Sequence, residues 1–298
     1  MSDERNFRTY YYEKFGFHGV EEKKSIEILL KEHPLDVEKL RLFCLRYPIP
    51  TQYRIYLWKV ILGILSANQD RHDFMIRQRT TQYQDLFHAL QVLHRINDST
   101  PLPEVFLRMY LIEEGMLPFE EQGMITMPNN RIYLSLASVM CGLVEDQVDM
   151  YWITNRFYRL LITHKDTLLI LPEKVDPCLK KEDTDLKLWS HIQKHQLLSS
   201  LPLSTWFQQC YAGILPETSV ERVLDKVAGG SFIILVYVAV AMILTLRRPL
   251  LSIMAKEDML VYLTKIHEDS GDIIVNKAID LWQKYGHQKK SASPNFLE

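Results

Sequence analysis

The sequence YRIYLWKVILGIL, from Tyr53 to Leu65, contains the clearest structural signal in the chain. Its apolar residues recur at intervals of three and four positions, and they are Tyr53, Tyr56, Leu57, Val60, Ile61 and Ile64. Side chains with this spacing lie on one face of an α-helix, where they can pack against a core. Thr51 is a candidate N-cap, because its hydroxyl can accept a hydrogen bond from a free N–H at the helix start. We therefore predict an amphipathic helix that starts near Thr51.

Helical patterns continue on both sides of this stretch. Before it, two short helices are predicted over residues 21–32 and 36–47. After it, helices are predicted over 74–94, 103–114, 132–144, 147–164, 186–198, 203–212, 218–227, 231–246, 257–267 and 271–285. Asp146 is a candidate N-cap for the helix predicted over residues 147–164. Two stretches without a helical period, 115–130 and 172–185, are predicted to be an exposed loop and a charged linker. The predicted fold class is all-α.

The composition limits the classes of function that need consideration. The 298 residues include only 11 Gly and 13 Pro, which is few for an all-β fold with frequent turns. The formal net charge is −2, so no long-range field attracts nucleic acid or anionic lipid. Four cysteines, Cys44, Cys141, Cys178 and Cys210, form no CxxC pair, and the N-terminal residues lack a signal-peptide pattern. These features indicate a cytosolic protein with structural thiols.

The most apolar stretch is SFIILVYVAVAMILTL, from Ser231 to Leu246. It carries no charge over 16 residues and ends before Arg247. A membrane-spanning helix needs about 20 apolar residues. We therefore expect a buried central helix and no integral membrane segment.

The common catalytic signatures do not occur in the chain. GxSxG, GxxxxGK[ST] and GxGxxG are all missing, so hydrolase, NTPase and dinucleotide-binding functions have no starting motif. His191 and His195 lie four residues apart on one helix face, but Ile192 stands where a zinc protease has glutamate. A solvated histidine pair is the simpler interpretation. We expect no metal and no cofactor.

Three segments, in this order, resemble motifs of the TBC domain, the Rab GTPase-activating fold. In residues 53–65, Arg54 and Trp58 reproduce the R-x-x-x-W pattern of the first motif, and Gly63 follows in the apolar run. EDQVDMYWIT, residues 145–154, contains Trp152 and is similar to the acidic, aromatic segment that follows the glutamine motif of the family.

The third segment begins with Trp206 and continues as ERVLDKVAGG from Glu221. Here Arg222 and Asp225 match an R-x-W-D pattern, and Gly230 corresponds to the glycine that follows it. Leu224 replaces the usual tryptophan. The resemblance covers about residues 51–246 and implies a single TBC-type multi-helix domain. It implies a core at 51–246, N-terminal helices within 1–50 packed on it, C-terminal helices at 247–288 that complete the fold, and a flexible tail at 289–298.

Catalytic TBC domains supply two residues to GTP hydrolysis, an arginine from I-x-x-D-x-x-R and a glutamine from Y-x-Q. One alignment of the arginine motif retains Asp98 but places Pro101 at the arginine position. A second alignment retains Arg108 but places Val105 at the aspartate position. Asp98 and Arg108 are therefore vestigial candidates, and neither alignment is complete.

The glutamine motif is also incomplete. Tyr133 is followed by Leu134 and Ser135, so serine occupies the glutamine position. Gln122 follows Phe119 at the wrong spacing, and we interpret it as a chance similarity. The resemblance thus predicts a pseudo-GAP that keeps the fold and has no catalytic residues.

Within the family, the likeness to a branch of tuberous sclerosis complex subunits extends through residues 5–33 and through KAIDLWQK, residues 277–284. This likeness implies a subunit that binds the hamartin coiled coil and, indirectly, tuberin. It would support the GTPase-activating activity of tuberin toward Rheb and so restrain mTOR signalling. It also implies a cytoplasmic protein recruited to lysosomes or vesicles through the complex. The alternative is an active GTPase-activating protein for a Rab GTPase. The sequence does not identify the partner-binding residues.

Overall fold

The computed structural model describes residues 20–120, 122–264 and 266–286, and the secondary structure in these ranges is helical, with no strand. The all-α prediction is confirmed. The helices are α1 (Val20–Leu29), α2 (Val37–Arg46), α3 (Thr51–Ile61), α4 (His72–Val92), α5 (Leu102–Glu113), α6 (Pro128–Leu143), α7 (Gln147–Thr163), α8 (Lys165–Ile170), α9 (Val175–Glu182), α10 (Lys187–Lys194), α11 (Leu197–Ser200), α12 (Leu203–Gln208), α13 (Glu217–Ala228), α14 (Ile234–Thr245), α15 (Arg247–Ser252), α16 (Lys256–Thr264) and α17 (Glu268–Gly286). The predicted tail at 289–298 lies outside the described residues.

The helix starts agree with the predictions in part. The carboxylate of Asp146 caps α7 by accepting a hydrogen bond from the N–H of Asp149 at 2.9 Å, as predicted. The prediction for Thr51 is wrong, because Thr51 is already helical and Pro50 occupies the cap position without a side-chain hydrogen bond. Helix α6 starts at Pro128, four residues earlier than predicted. Proline suits the first helical position, where the missing N–H would have no partner within the helix.

The predicted linker at 172–185 is largely helical. A short 3₁₀ turn, Leu171–Lys174, leads directly into α9. Pro177 lies in the first turn of α9, where a proline does not break a backbone hydrogen bond. Leu171, Val175 and Leu179 are buried at intervals of four residues. The charged residues between them conceal this apolar stripe in the sequence.

The loop at 115–130 is not exposed throughout. Phe119 is 95% exposed, in agreement with the prediction, but Met124 is only 1% exposed. Gly123 turns the chain inward with a φ of +77°, and the Asn130 side chain donates a hydrogen bond to the Met124 carbonyl at 2.8 Å. The loop therefore contributes one side chain to the core.

Two helices organise the centre of the domain. All ten residues of α14 from Ile234 to Ile243 are buried, and this helix packs most extensively against α17 and also against α9. Helix α13 contacts α2, α3, α6 and α17. The expectation of a buried central helix is confirmed. Among the described residues, no helix has both the length and the apolarity to cross a membrane.

The close contact between α13 and α17 predicts different effects of alanine at two helical glycines. A Cβ at Gly271 would lie 2.6 Å from Ser219 Oγ and 2.9 Å from the ring of Pro216. We expect Gly271→Ala to lower the free energy of unfolding by about 1–3 kcal/mol, because the proline ring cannot move aside. Urea denaturation measures this loss.

Gly142→Ala is the matched control for this prediction. The three atoms nearest to a Cβ at Gly142 would all belong to the carboxylate end of the flexible Glu217 side chain, which can rotate away. We expect unchanged or slightly higher stability, because alanine favours the helix more than glycine does. Equal losses for the two variants would contradict the packing described here.

Candidate functional site

The residues of the first and third sequence motifs meet at one buried carboxylate. Arg54 on α3 and Asp225 on α13 are 171 residues apart in the chain, yet Arg54 Nε lies 3.2 Å from both carboxylate oxygens. Trp58 Nε1 donates a hydrogen bond to Asp225 Oδ1 at 3.0 Å. Since residues at i and i+4 share a helix face, the R-x-x-x-W spacing directs both side chains to the same acceptor. Arg54 also anchors the preceding loop, through a 3.0 Å hydrogen bond to the carbonyl of Ile49.

Further charges surround this carboxylate. Arg54 Nη1 lies 2.9 Å from Glu221 Oε2. Lys226 Nζ donates hydrogen bonds to the carbonyls of Cys44, Leu45 and Tyr47 at 2.7, 2.9 and 3.2 Å, at the C-terminal end of α2. These carbonyls have no partner within the helix, and a cation there is favourable. Burial raises the pKa of Asp225 to about 6 against the opposing effect of Arg54, and burial lowers the pKa of Lys226 to about 8.

The other motif residues are structural contacts between helices. Arg222 Nη2 donates a hydrogen bond to Asn276 Oδ1 at 2.6 Å, and Arg222 Nη1 lies 3.6 Å from Asp272 Oδ1, so Arg222 joins α13 to α17. Trp206 on α12 is buried and packs against the ring of Tyr211. These residues form no reactive constellation.

The two motif glycines lie just after helix ends. Gly63 follows α3 with a φ of +72°, and Gly230 follows α13 with a φ of +94°. Side chains with a Cβ rarely adopt this left-handed conformation, whereas glycine does so at little cost. Both glycines therefore allow the chain to turn just after α3 and α13, the two helices that the contacts of Asp225 join.

The structure separates the two candidate residues of the arginine motif. Asp98 lies in the exposed turn between α4 and α5. Arg108 is only 8% exposed, on α5, and its Nη1 lies 3.1 Å from Glu104 Oε2 and 3.3 Å from the carbonyl of Glu104. Within the described residues, no hydrogen bond or ion pair joins Asp98 to Arg108.

The glutamine motif occupies a structural position. Tyr133 is fully buried on α6, and its hydroxyl hydrogen-bonds to the carbonyl of Phe106 at 3.2 Å and to Asn155 Oδ1. The hydroxyl of Ser135 donates back to the carbonyl of Arg131 at 2.9 Å. Gln122 lies in the exposed turn before Gly123. The tyrosine therefore connects α6 to α5 and α7.

An open pocket of about 150 Å³ lies between α3, α4 and α7. Its apolar wall consists of Ile64, Leu65, Ile76, Val148 and Trp152. At its edge, Lys59 Nζ and Asp149 Oδ2 form an ion pair of 2.8 Å. A cavity of this volume can hold a benzene-sized group. Ile76 is 43% exposed, so the pocket continues onto the protein surface.

Arg79 also lines this pocket, and the sequence analysis did not single it out. Its guanidinium carbon lies 4.4 Å from the centre of the Trp152 ring, and Trp152 Nε1 donates to the Arg79 carbonyl at 3.1 Å. Burial lowers the pKa of Arg79. The sequence signal for this residue is its place on the α4 face of Ile76 and Tyr83, where a charge interrupts an apolar stripe.

Comparison with known sequences gives one consistent set of matches. A family model for the RabGAP TBC domain matches residues 162–291. TBC1 domain family member 7 of Homo sapiens is 46% identical over 283 residues, which cover 95% of this chain and 96% of that protein. The Xenopus tropicalis protein of the same name is also 46% identical, with the same coverage. The Danio rerio protein is 43% identical over 289 residues, which are 96% of this chain and 97% of that protein.

Solved structures show the same fold. The Ypt/Rab-GAP domain of Gyp1p has a TM-score of 0.58 at 14% identity, covering 89% of this chain and 99% of that chain. The Chlamydomonas flagellar RabGAP TBC domain has a TM-score of 0.53 at 14% identity, covering 88% of this chain and 89% of that chain. At this level of identity, the likeness concerns the fold alone.

The buried carboxylate makes a prediction about stability. Asp225→Asn keeps the shape and the acceptor for Trp58 but removes the negative charge that faces Arg54. We expect the free energy of unfolding to fall by about 1–3 kcal/mol, because the buried Arg54 keeps Glu221 but loses its charge-assisted hydrogen bonds to Asp225. Asp272→Asn is the matched control, since Asp272 is 66% exposed and lies 3.6 Å from its arginine. Chemical denaturation should show no measurable loss for this control. Similar stability of the two variants would mean that Asp225 does not hold the helices together.

Proposed function

The chain belongs to the family of TBC1 domain family member 7, within the RabGAP TBC-domain proteins, and we propose that it is a non-catalytic subunit of a GTPase-regulating complex. Its partner is the coiled coil of hamartin, and its role is to stabilise the assembly in which tuberin activates GTP hydrolysis by Rheb. Through that assembly it restrains mTOR signalling. The chain acts in the cytoplasm and reaches lysosomes as part of the complex.

The observation that carries this proposal is the pocket between α3, α4 and α7. It opens beside the exposed Ile76 on the 21-residue helix α4. Coiled-coil helices present apolar side chains at regular intervals, and such a helix binds by placing some of them into a groove on its partner. The pocket has room for one such side chain. Helix α4 offers a surface alongside which a partner helix can lie.

The contacts at the arginine and glutamine motifs support the non-catalytic part of the proposal. An arginine that assists hydrolysis must reach the phosphates of a bound GTPase. Arg108 is largely buried and paired with Glu104 one turn earlier on its own helix. Ser135, at the glutamine position, has a side chain too short to orient an attacking water across an interface.

Hydrolysis assays with GTP-loaded Rabs test the proposal against the alternative of an active Rab-GAP. We expect the purified chain to leave hydrolysis at the intrinsic rate of each GTPase, because neither catalytic residue is in a position to act. An arginine supplied in trans accelerates hydrolysis by roughly 10³–10⁵. An acceleration of this size that Arg108→Ala abolishes would establish the alternative function.

Titration calorimetry with a hamartin coiled-coil fragment tests the binding surface. We expect Ile76→Glu to weaken binding by at least about thirtyfold, or roughly 2 kcal/mol, because the new charge would lie at the mouth of the pocket. Ile273→Glu is the matched control, since Ile273 is 58% exposed on α17, and it should bind as the wild type does. Arg108→Ala should also leave the affinity unchanged. Loss of binding with Arg108→Ala alone would place the partner on the GTPase-facing surface instead.

A further inference from the structure

Arg79 lines the pocket and Arg156 lies near Arg79 on α7, and neither forms an ion pair with a carboxylate in the part of the chain that the structure describes. Arg156 lies on α7, four residues after Trp152 and therefore on the same face. Across the described residues, no carboxylate oxygen lies within 4 Å of a guanidinium nitrogen of Arg79 or Arg156. Arg79 makes one side-chain hydrogen bond, from Nη1 to Gln82 Oε1 at 3.3 Å, and Arg156 makes none within the same residues. Each guanidinium has five N–H donors, so most of their hydrogen-bonding capacity is unused by the protein.

The nearby carboxylates are already engaged by other groups. Glu113 accepts hydrogen bonds from the hydroxyl of Tyr151 at 2.9 Å and from Gln82 Nε2 at 3.3 Å. Arg159 lies 3.8 Å from Glu113 and forms its closer ion pair with Glu114. Burial and the neighbouring Arg79 and Arg159 lower the pKa of Arg156, against the opposing effect of Glu113. The surface around Arg79 and Arg156 therefore has an excess of positive charge that is partly shielded from water.

On the other side of the pocket, carboxylates outnumber cations. Lys59 and Asp149 neutralise each other at 2.8 Å, and Asp146 caps the start of α7. An approaching anion is therefore attracted to the side of Arg79 and Arg156, while the apolar wall favours an aliphatic side chain. Trp152 connects the apolar wall to the arginines, because it lines the pocket and its ring stacks against the guanidinium of Arg79.

We infer that Arg79 and Arg156, which we call the arginine pair, bind a carboxylate side chain of a helical protein partner whose neighbouring apolar side chain fills the pocket. This inference rests on the proposed binding function and specifies the chemistry of its partner. Arginine binds carboxylates through two parallel N–H···O bonds, and these bonds are strong when they are shielded from water. Arginine is also one of the residue types that most often dominate the energy of protein interfaces. A glutamate or aspartate one helical turn from an aliphatic residue of the partner supplies both contacts.

The test uses the full chain and the hamartin coiled-coil fragment of the calorimetric assay. We expect Arg79→Gln and Arg156→Gln each to weaken binding at least about tenfold, which corresponds to 1.4 kcal/mol. Arg77→Gln is the control, because Arg77 lies on the same helix but is exposed and outside the pocket. It should change the affinity by less than about twofold.

Substitutions in the fragment make the test independent of any effect on the fold of the chain. Each Asp or Glu of the fragment is changed to its amide. We expect one of these changes to weaken binding to the wild type by about the same factor, and to have little further effect on binding to Arg79→Gln. Thermal denaturation of each variant checks that it is folded.

The possible results separate this inference from the proposed function. If the fragment binds the wild type and binds the arginine variants as tightly as it binds Arg77→Gln, the inference is wrong and the proposed function stands. If the fragment does not bind the wild type, both are wrong. Vesicles of phosphatidylcholine and phosphatidylserine give a third result. If the arginine variants lose vesicle binding and keep full affinity for the fragment, the arginine pair recognises lipid headgroups, and the inference is again wrong.

Discussion

The carboxylate of Asp225 is the constraint on which the arrangement of this domain depends. A charge buried at the centre of a helical protein is costly unless it is paired, and here α3 supplies both Arg54 and Trp58 to pair it. The next residue, Lys226, binds the carbonyls at the end of α2. Because α13 also packs against α6 and α17, these two adjacent side chains fix the N-terminal helices on the rest of the fold. The position of α3 in turn fixes Ile64 and Leu65, two residues of the pocket wall.

The pKa shifts of Asp225 and Lys226 indicate that these two charges determine how the helices are arranged more than they stabilise the fold. The pKa of Asp225 is about 6 in the folded protein and about 3.9 in an unfolded chain, so its contribution to stability falls as the pH rises through that interval. The pKa of Lys226 is about 8 when folded and about 10.4 when unfolded, so its contribution rises with pH through that interval. At neutral pH, both ionised groups therefore carry a desolvation cost that their partners only partly offset. Such a cluster selects one packing of α2, α3 and α13 over alternatives in which a charge would be left unpaired.

Local patterns in the sequence predicted most of the fold but little of the pocket. The apolar period identified α3 and α4, the uncharged apolar run identified α14, and the acidic residue before α7 identified its cap. The stretch at 172–185 was predicted incorrectly, because charged residues outnumber the buried Leu171, Val175 and Leu179. Arg54 and Trp58 were recognisable as a pair on one helix face. Their shared partner Asp225 lies 171 residues from Arg54 and 167 residues from Trp58, and a local sequence pattern cannot reveal a contact at such a separation. The same reason applies to Arg79 and Trp152, which lie on different helices 73 residues apart.

Polar groups that are already paired inside the protein contribute little binding free energy when a partner protein binds. Tyr133 donates a hydrogen bond to the backbone of α5, and Arg108 binds Glu104, so these residues of the glutamine and arginine motifs make contacts within the domain. The pocket beside α4 differs, because Ile76 remains partly exposed and, among the residues that the structure describes, no carboxylate oxygen lies within 4 Å of the guanidinium nitrogens of the arginine pair. Binding energy comes from apolar area that is newly buried and from charged groups that acquire a strong partner. Under the proposed function, the α4–α7 pocket offers a partner protein both of these sources of binding energy.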